Sequence, residues 1–259
     1  MKHILRLLGS AFLGATLLSA CDSVSEPDRF IPAEIVPQRA VLVEEFTGQL
    51  CTNCPDGHVA IKSILATLGD SVVPVSIHAS SLALPPDRGG YLTEAGEEYY
   101  KAVGSPALPT AVIDKVTEPL IVTDWGSAIN HLIMEATPFT VIAKADFSSD
   151  GSNYDIKVDF SAGEEFSGKL MVWILENNLI GRQLDHGVNV RDYQHNHVFR
   201  AAVTKDIWGD EVDLKAHDPQ SKTYSYPLQA DWNKDNLYVV AFLYNDGGVA
   251  QVTATPAAH

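Results

Sequence analysis

The chain is poor in cysteine and in basic side chains. Its 259 residues include only three cysteines. That number leaves no thiols for a separate structural disulfide framework. Basic side chains are also scarce, with 18 Lys and Arg against 33 Asp and Glu and a formal charge of −15. Such acidity argues against nucleic acid and against anionic lipid surfaces as partners. There is no glycine-rich phosphate loop of the required spacing and no Gly-x-Ser-x-Gly elbow. The acidic pairs Glu44-Glu45, Glu97-Glu98 and Glu164-Glu165 are sequence neighbours. Neighbours point different ways on a helix or a strand, so these pairs read as solvated faces and not as acid/base dyads. No internal repeat or low-complexity tract is present, and no cofactor is called for.

The N-terminal stretch Ile4 to Leu18 is largely apolar, and Lys2 and Arg6 give the segment a basic start. It is too short and too weakly flanked for a membrane span and reads instead as a targeting segment. It closes Leu18-Ser19-Ala20-Cys21. Small residues before a cysteine resemble a bacterial lipobox, which makes Cys21 the acylated first residue of the mature chain and gives a membrane anchor. The alternative is an ordinary secretory peptide with a chance cysteine. Loss of Lys2 and Arg6 leaves 16 basic residues against 33 acidic ones. The expected organisation is a signal over 1–21, a polar tether over 22–36, a first domain over 37–137 and a second over 138–259.

The two remaining cysteines, Cys51 and Cys54, follow the apolar run Val41 to Phe46 and precede a helical pattern. Ile61, Ile64, Leu65 and Leu68 recur at i, i+3, i+4 and i+7. Pro55 suits a first helical turn, and Gly69 suits the stop. A helix N-terminus carries unpaired N–H groups and partial positive charge, which lower a thiol pKa. Cys51 is the expected attacking thiol and Cys54 the resolving one, paired as a disulfide in an oxidising compartment. Val72 to Ile77 reads as the next strand, Thr93 as the cap of a helix reaching Val103, and Ala111 to Asp114 as a further strand. Leu120 to Val122 is expected to pair with that strand, and Thr123 to cap a last helix. Pro109, ahead of the strand, is the candidate cis proline, with Pro106 as competitor. Together with Leu108 it is the candidate platform for an extended substrate backbone.

After Pro138 the periodicity changes to two. Tyr154, Ile156, Val158 and Phe160 alternate with Asp155, Lys157 and Asp159. Seven strands are expected, over 140–147, 154–160, 169–175, 197–203, 223–228, 237–244 and 250–255, with turns at Asp150-Gly151 and Asp246-Gly247-Gly248. His186, His195, His197 and His217 lie in this half. His195 and His197 share a strand face if the strand is regular, which is one possible ligand geometry. Solvated or hydrogen-bonded imidazoles in a polar loop are the plainer reading, and no metal is assigned. Cys51, Cys54 and His58 could together offer soft ligands to a copper ion. A surface histidine beside the dithiol is preferred.

The first-half order is similar to that of thioredoxin-like proteins. Glu45 to Pro55, His195 to Arg200 and Val240 to Asn245 resemble stretches of the twenty-eight-kilodalton outer-membrane-protein family of bacterial envelope lipoproteins. Leu50 before the pair and Thr52-Asn53 within it depart from ordinary thioredoxin. The resemblance implies an outer-membrane setting and a receptor or adhesin role. The expected fold is an α/β thioredoxin-like domain followed by an all-β, immunoglobulin-like sandwich. The expected function is thiol–disulfide exchange with exported protein thiols or disulfides. The alternative is a binding module in which Cys51–Cys54 is a structural clip. A disulfide closing so short a loop constrains the unfolded chain little.

Overall fold

Seven consecutive residues, Val41–Thr47, form the first strand (β1), and all seven are buried. A strand covered on both faces needs an apolar run in place of alternation, and Val41, Leu42, Val43 and Phe46 supply it. The computed structural model describes residues 38–255. The expected signal segment, Cys21 and the tether lie outside the described residues. β1 runs parallel to Val72–His78 (β2) and antiparallel to Thr110–Ile113 (β3). Between β1 and β2 lies helix α1 (Cys54–Leu68), with Pro55 in its first turn and Gly69, at φ 53°, ending it. Ile61, Ile64, Leu65 and Leu68 pack on Val41, Val43, Trp125 and Ile129. Helix α2 (Glu94–Ala102) is capped by Thr93, whose hydroxyl accepts from Gly96 N–H at 3.0 Å. Helix α3 (Val122–Leu132) starts after Ile121 without a side-chain cap, so Thr123 lies inside it. Leu120 and Ala111 form an isolated bridge.

The rest of the chain is strand. In order these are β4 (Phe139–Phe147), β5 (Asn153–Ala162), β6 (Phe166–Glu176), β7 (Leu179–Asp185), β8 (Val188–His195), β9 (Val198–Ala202), β10 (Asp210–Leu214), β11 (Gln220–Pro227), β12 (Leu237–Asn245) and β13 (Gly248–Ala254). One eight-stranded sheet has the order β13-β12-β6-β9-β2-β1-β3, with β10 also on β6. A second sheet is β11-β5-β4, and a third is the hairpin β7–β8.

This corrects the expected fold class. The described residues do not form an α/β thioredoxin-like domain followed by a separate immunoglobulin-like sandwich. They form a strand-dominated, multi-sheet structure with three α-helices. Its main sheet draws strands from both sides of Pro138, and β9 joins β2 where Ser76 N–H donates to His197 C=O at 2.7 Å. The physical reason lies at the edge of β2. With β1 on one side only, β2 would present unpaired backbone groups on the other, and β9 covers them. The core is shared as well. Trp173, Leu175, Phe199 and Phe242 pack in one cluster with Phe46, Val75, Ile77 and Tyr99. The opposite face of β6 and β12, with Val172, Ile174, Val239 and Leu243, packs on Val158 and Phe160 of the second sheet. No helix among the described residues is long and apolar enough to cross a membrane.

Three strands were not expected: β7, β8 and β10. β7 and β8 are rich in polar residues because the hairpin is a sheet of its own, largely exposed on one face. Its turn places His186 and Gly187 at φ 45° and 83°, the backbone of a two-residue hairpin. A glycine between two polar but β-branched stretches was the available signal.

Candidate functional site

Beyond β1 the chain crosses residues 48–53 to the start of α1. Cys51 and Cys54 are joined as a disulfide with Cα atoms 5.4 Å apart. Cys54 is the first residue of α1, so the sulfurs lie at the helix end where backbone N–H groups are unpaired. They are poorly exposed, Cys51 at 4% and Cys54 at 0%. Leu50 N–H donates to Leu82 C=O at 2.8 Å and pins the loop. A Cβ on Gly48 would lie 2.7 Å from the Leu82 carbonyl carbon and oxygen. Gly48→Ala should therefore cost about 1–3 kcal/mol of stability by overpacking. Urea unfolding checks this, and an unchanged midpoint would refute the close approach.

The Leu108–Pro109 bond is cis, while Pro106 follows a trans bond. Leu108 and Pro109 are both partly exposed. A Cβ on Gly57, in the first turn of α1, would lie 3.4 Å from Pro109 Cβ. It would also lie 2.6 Å from Glu45 Oε1 and 2.9 Å from the Trp125 ring. Glycine at 57 thus lets proline, carboxyl and helix end converge.

Glu44 and Glu45 are not a solvated face, since they are 3% and 0% exposed. They do point to opposite faces of β1, but both faces are covered. Glu44 pairs with Lys115 Nζ at 2.7 Å. That ammonium lies 5.5 Å from the Tyr244 ring centroid and 5.6 Å from that of Trp173, a cation–π setting. Glu45 Oε2 accepts from the Ser76 hydroxyl at 2.7 Å, and its Oε1 has no hydrogen-bond partner. Burial pushes the Glu45 carboxyl up to about 8, against a smaller lowering by Ser76. It is therefore mostly protonated at neutral pH.

A nest of rings adjoins this carboxyl. His58 Nε2 lies 3.1 Å from Thr47 Oγ1 and 3.7 Å from Glu45 Oε1, and its Nδ1 lies 2.8 Å from the Tyr193 hydroxyl. The His195 ring centroid is 6.2 Å from that of His58, 5.5 Å from His78 and 5.1 Å from Tyr91. Burial holds all three imidazoles neutral. His58 is lowered to about 3, with His195 adding to the effect. His195 is lowered to about 4 and His78 well below its ordinary value. Neither His78 nitrogen has a partner, nor does His195 Nδ1.

Hairpin β7–β8 closes over the cysteine loop. Leu184 N–H donates to Gln49 C=O at 2.8 Å, His186 N–H to Thr52 C=O at 2.9 Å, and Gly187 N–H to Thr52 Oγ1 at 2.8 Å. Gln183 Nε2 donates to Cys51 C=O at 3.0 Å.

The four histidines of the second half do not assemble. Asn196 interrupts the strand and His197 has φ 58°, so His195 and His197 do not share a regular strand face. The His197 ring meets the Tyr238 hydroxyl at 2.9 Å. His186 sits exposed at the hairpin turn beside Asp185 and Asp56. His217 N–H donates to Ala162 C=O at 2.7 Å. His58 engages Thr47 and Tyr193 through its two ring nitrogens and is not a loose surface residue. Among the described residues, no group of three or more His, Cys, Asp or Glu side chains is arranged to hold a metal ion. Sequence reasoning missed Glu45, His78, Tyr91 and Tyr193, because only tertiary packing brings β1, β2, the 80–92 loop and β8 together.

A family model described as outer membrane protein Omp28 matches residues 96–257. No curated protein matches the chain. Among solved structures, the chain is similar to HBP35 of Porphyromonas gingivalis, with TM-score 0.68 and 18% identity over 84% of this chain and 75% of that one. It is also similar to protein AGR_C_4864 from Agrobacterium tumefaciens, with TM-score 0.53 and 16% identity over 86% of this chain and 97% of that one. At these identities the likeness shows the fold alone.

Proposed function

The chain belongs to the outer membrane protein Omp28 family and is a cell-envelope protein, and on that premise we propose that it exchanges thiols and disulfides with exported proteins through Cys51 and Cys54. One observation carries this reading: the sulfur pair sits at the N-terminus of α1, and the buried Glu45 carboxyl abuts the first turn of that helix at Gly57. In the reduced state Cys51 thiolate attacks a substrate disulfide and forms a mixed disulfide. Glu45 first releases its own proton, the resulting carboxylate takes the Cys54 proton, Cys54 sulfur attacks Cys51 Sγ, and the substrate leaves as a dithiol. Leu108 and Pro109 border the site, and the Leu108 backbone has no backbone partner among the described residues. It can therefore pair with an extended substrate. Acylation of Cys21 would hold the protein on the membrane.

A second reading is an outer-membrane binding module in which the disulfide is static. Family membership fits it, since an outer-membrane setting suits a binding module. So does the burial of both sulfurs under hairpin β7–β8. Trapping separates the two. A Cys54→Ser variant expressed in the native envelope should accumulate mixed disulfides on Cys51. If no partner is trapped and the midpoint potential falls below about −300 mV, as in structural disulfides, the second reading stands.

A further inference from the structure

The contacts of His58 form a line from the interior to the surface. It starts at Glu45, whose side chain is 0% exposed and whose Oε1 has no hydrogen-bond partner. It passes through His58, whose side chain is 18% exposed and whose Nε2 lies 3.7 Å from that oxygen and 3.1 Å from Thr47 Oγ1. It ends at Tyr193, a partly exposed residue whose hydroxyl lies 2.8 Å from His58 Nδ1. A buried acid that must gain and lose a proton in every turnover needs such a route, because no bulk water touches it. Tyr193 belongs to the hairpin inserted between the neighbouring strands β6 and β9.

We propose that His58 and Tyr193 relay the proton between Glu45 and solvent during exchange, so that hairpin β7–β8 is a working part of the site. The proposal rests on the thiol-exchange reading. When an incoming thiolate attacks Cys51 Sγ, the S–S bond breaks and its electron pair stays on Cys54 Sγ. Glu45 gives that sulfur its proton. The resulting carboxylate takes the Nε2 proton of His58, directly or through the Thr47 hydroxyl. His58 Nδ1 takes the proton of the Tyr193 hydroxyl, which takes one from water. When Cys54 later closes the disulfide, the proton returns along the same line and the first tautomer is restored. The imidazole changes tautomer and never becomes a cation. That suits its surroundings, where Glu45 from β1, Tyr193 and His195 from β8, Asp185 from β7, and the more distant His78 and His197 are the titratable neighbours.

Reduction of Cys51–Cys54 by dithiothreitol in the full chain, sampled by acid quench and alkylation between about pH 5 and 9, tests this. Tyr193→Phe keeps the ring against His58 and His195 and removes only the hydroxyl. It should slow reduction about tenfold or more near neutrality, leave the midpoint potential unchanged, and regain rate when imidazole is added as a diffusible proton carrier. His58→Gln should be slowed likewise, and if it fails to fold, Tyr193→Phe alone decides. Tyr193→Phe reacting at the wild-type rate across the range overturns the relay and leaves thiol exchange standing. So does a slowed variant that ignores imidazole, since that marks a purely structural role. Wild type that does not react with dithiothreitol overturns both.

Discussion

Trp173→Ala should lower the free energy of unfolding by about 3–5 kcal/mol, the usual range for removing a large buried aromatic, and the loss should be felt at both ends of the chain. Trp173 lies on β6 and is 0% exposed. Its ring centroid is 4.9 Å from Phe242 and 5.4 Å from Phe199 on the strand-rich side, and 5.4 Å from Tyr99 on α2. Its Nε1 donates to the Tyr99 hydroxyl at 3.2 Å. The Lys115 ammonium that neutralises buried Glu44 also lies against this ring. Truncation therefore opens a cavity where the main sheet joins elements from before and after Pro138. Guanidinium unfolding followed by circular dichroism, and in parallel by susceptibility of Cys51–Cys54 to reduction, should give one common shift in midpoint. If the cysteines kept their wild-type protection while the dichroism transition moved, the shared-core description would be wrong.

Stability should peak near pH 6 to 6.5 and fall on both sides, for opposite reasons. His58, His195 and His197 are lowered from 6.5 to about 3, 4 and 4, and His78 is lowered well below 6.5, burial being the leading cause in each. Below pH 6.5 the unfolded chain binds protons that the native imidazoles refuse. Each group then removes at most about 1.4 kcal/mol per pH unit until its own folded value is reached. The carboxyls act the other way. Glu45 is raised from 4.5 to about 8 and Asp114 from 3.8 to about 6, again chiefly by burial. Their contribution is complete below the unfolded values and is lost as pH rises through the folded ones. Between pH 4.5 and 6 four imidazoles oppose two carboxyls, so acidification wins and destabilises. Between 6.5 and 8 only Glu45 titrates in this set, so alkalinisation destabilises more gently. Urea midpoints at about pH 5, 6.5 and 8 check the shape. A midpoint that rises from pH 6.5 to 5 would show that the imidazoles are not buried neutral.

Local order around the cysteines could be read directly from residues. The stripe Ile61, Ile64, Leu65, Leu68, the stop at Gly69 and the cap at Thr93 are short-range features, and each appears as an element or its end. The alternation in Tyr154 to Phe160 likewise marks β5, because one face of that strand is buried and the other is open to solvent. The reading of Glu44-Glu45 as solvated failed for a definite reason. Periodicity tells which way a side chain points, and it does not tell whether something else packs on that side.

What the residues determine alone is therefore the set of segments, their local ends, the pairing of two thiols with a helix start, and an acidic balance hostile to nucleic acid. Tertiary structure decided the remainder. It placed β9 on the open edge of β2, ran one main sheet through strands from both sides of Pro138, buried Glu45, and brought His58, His78, His195 and Tyr193 together. Those outcomes depend on which strand edges meet and which faces are covered. These are long-range choices, set by the total apolar surface removed from water and the backbone groups left to pair, and no short stretch of chain encodes them.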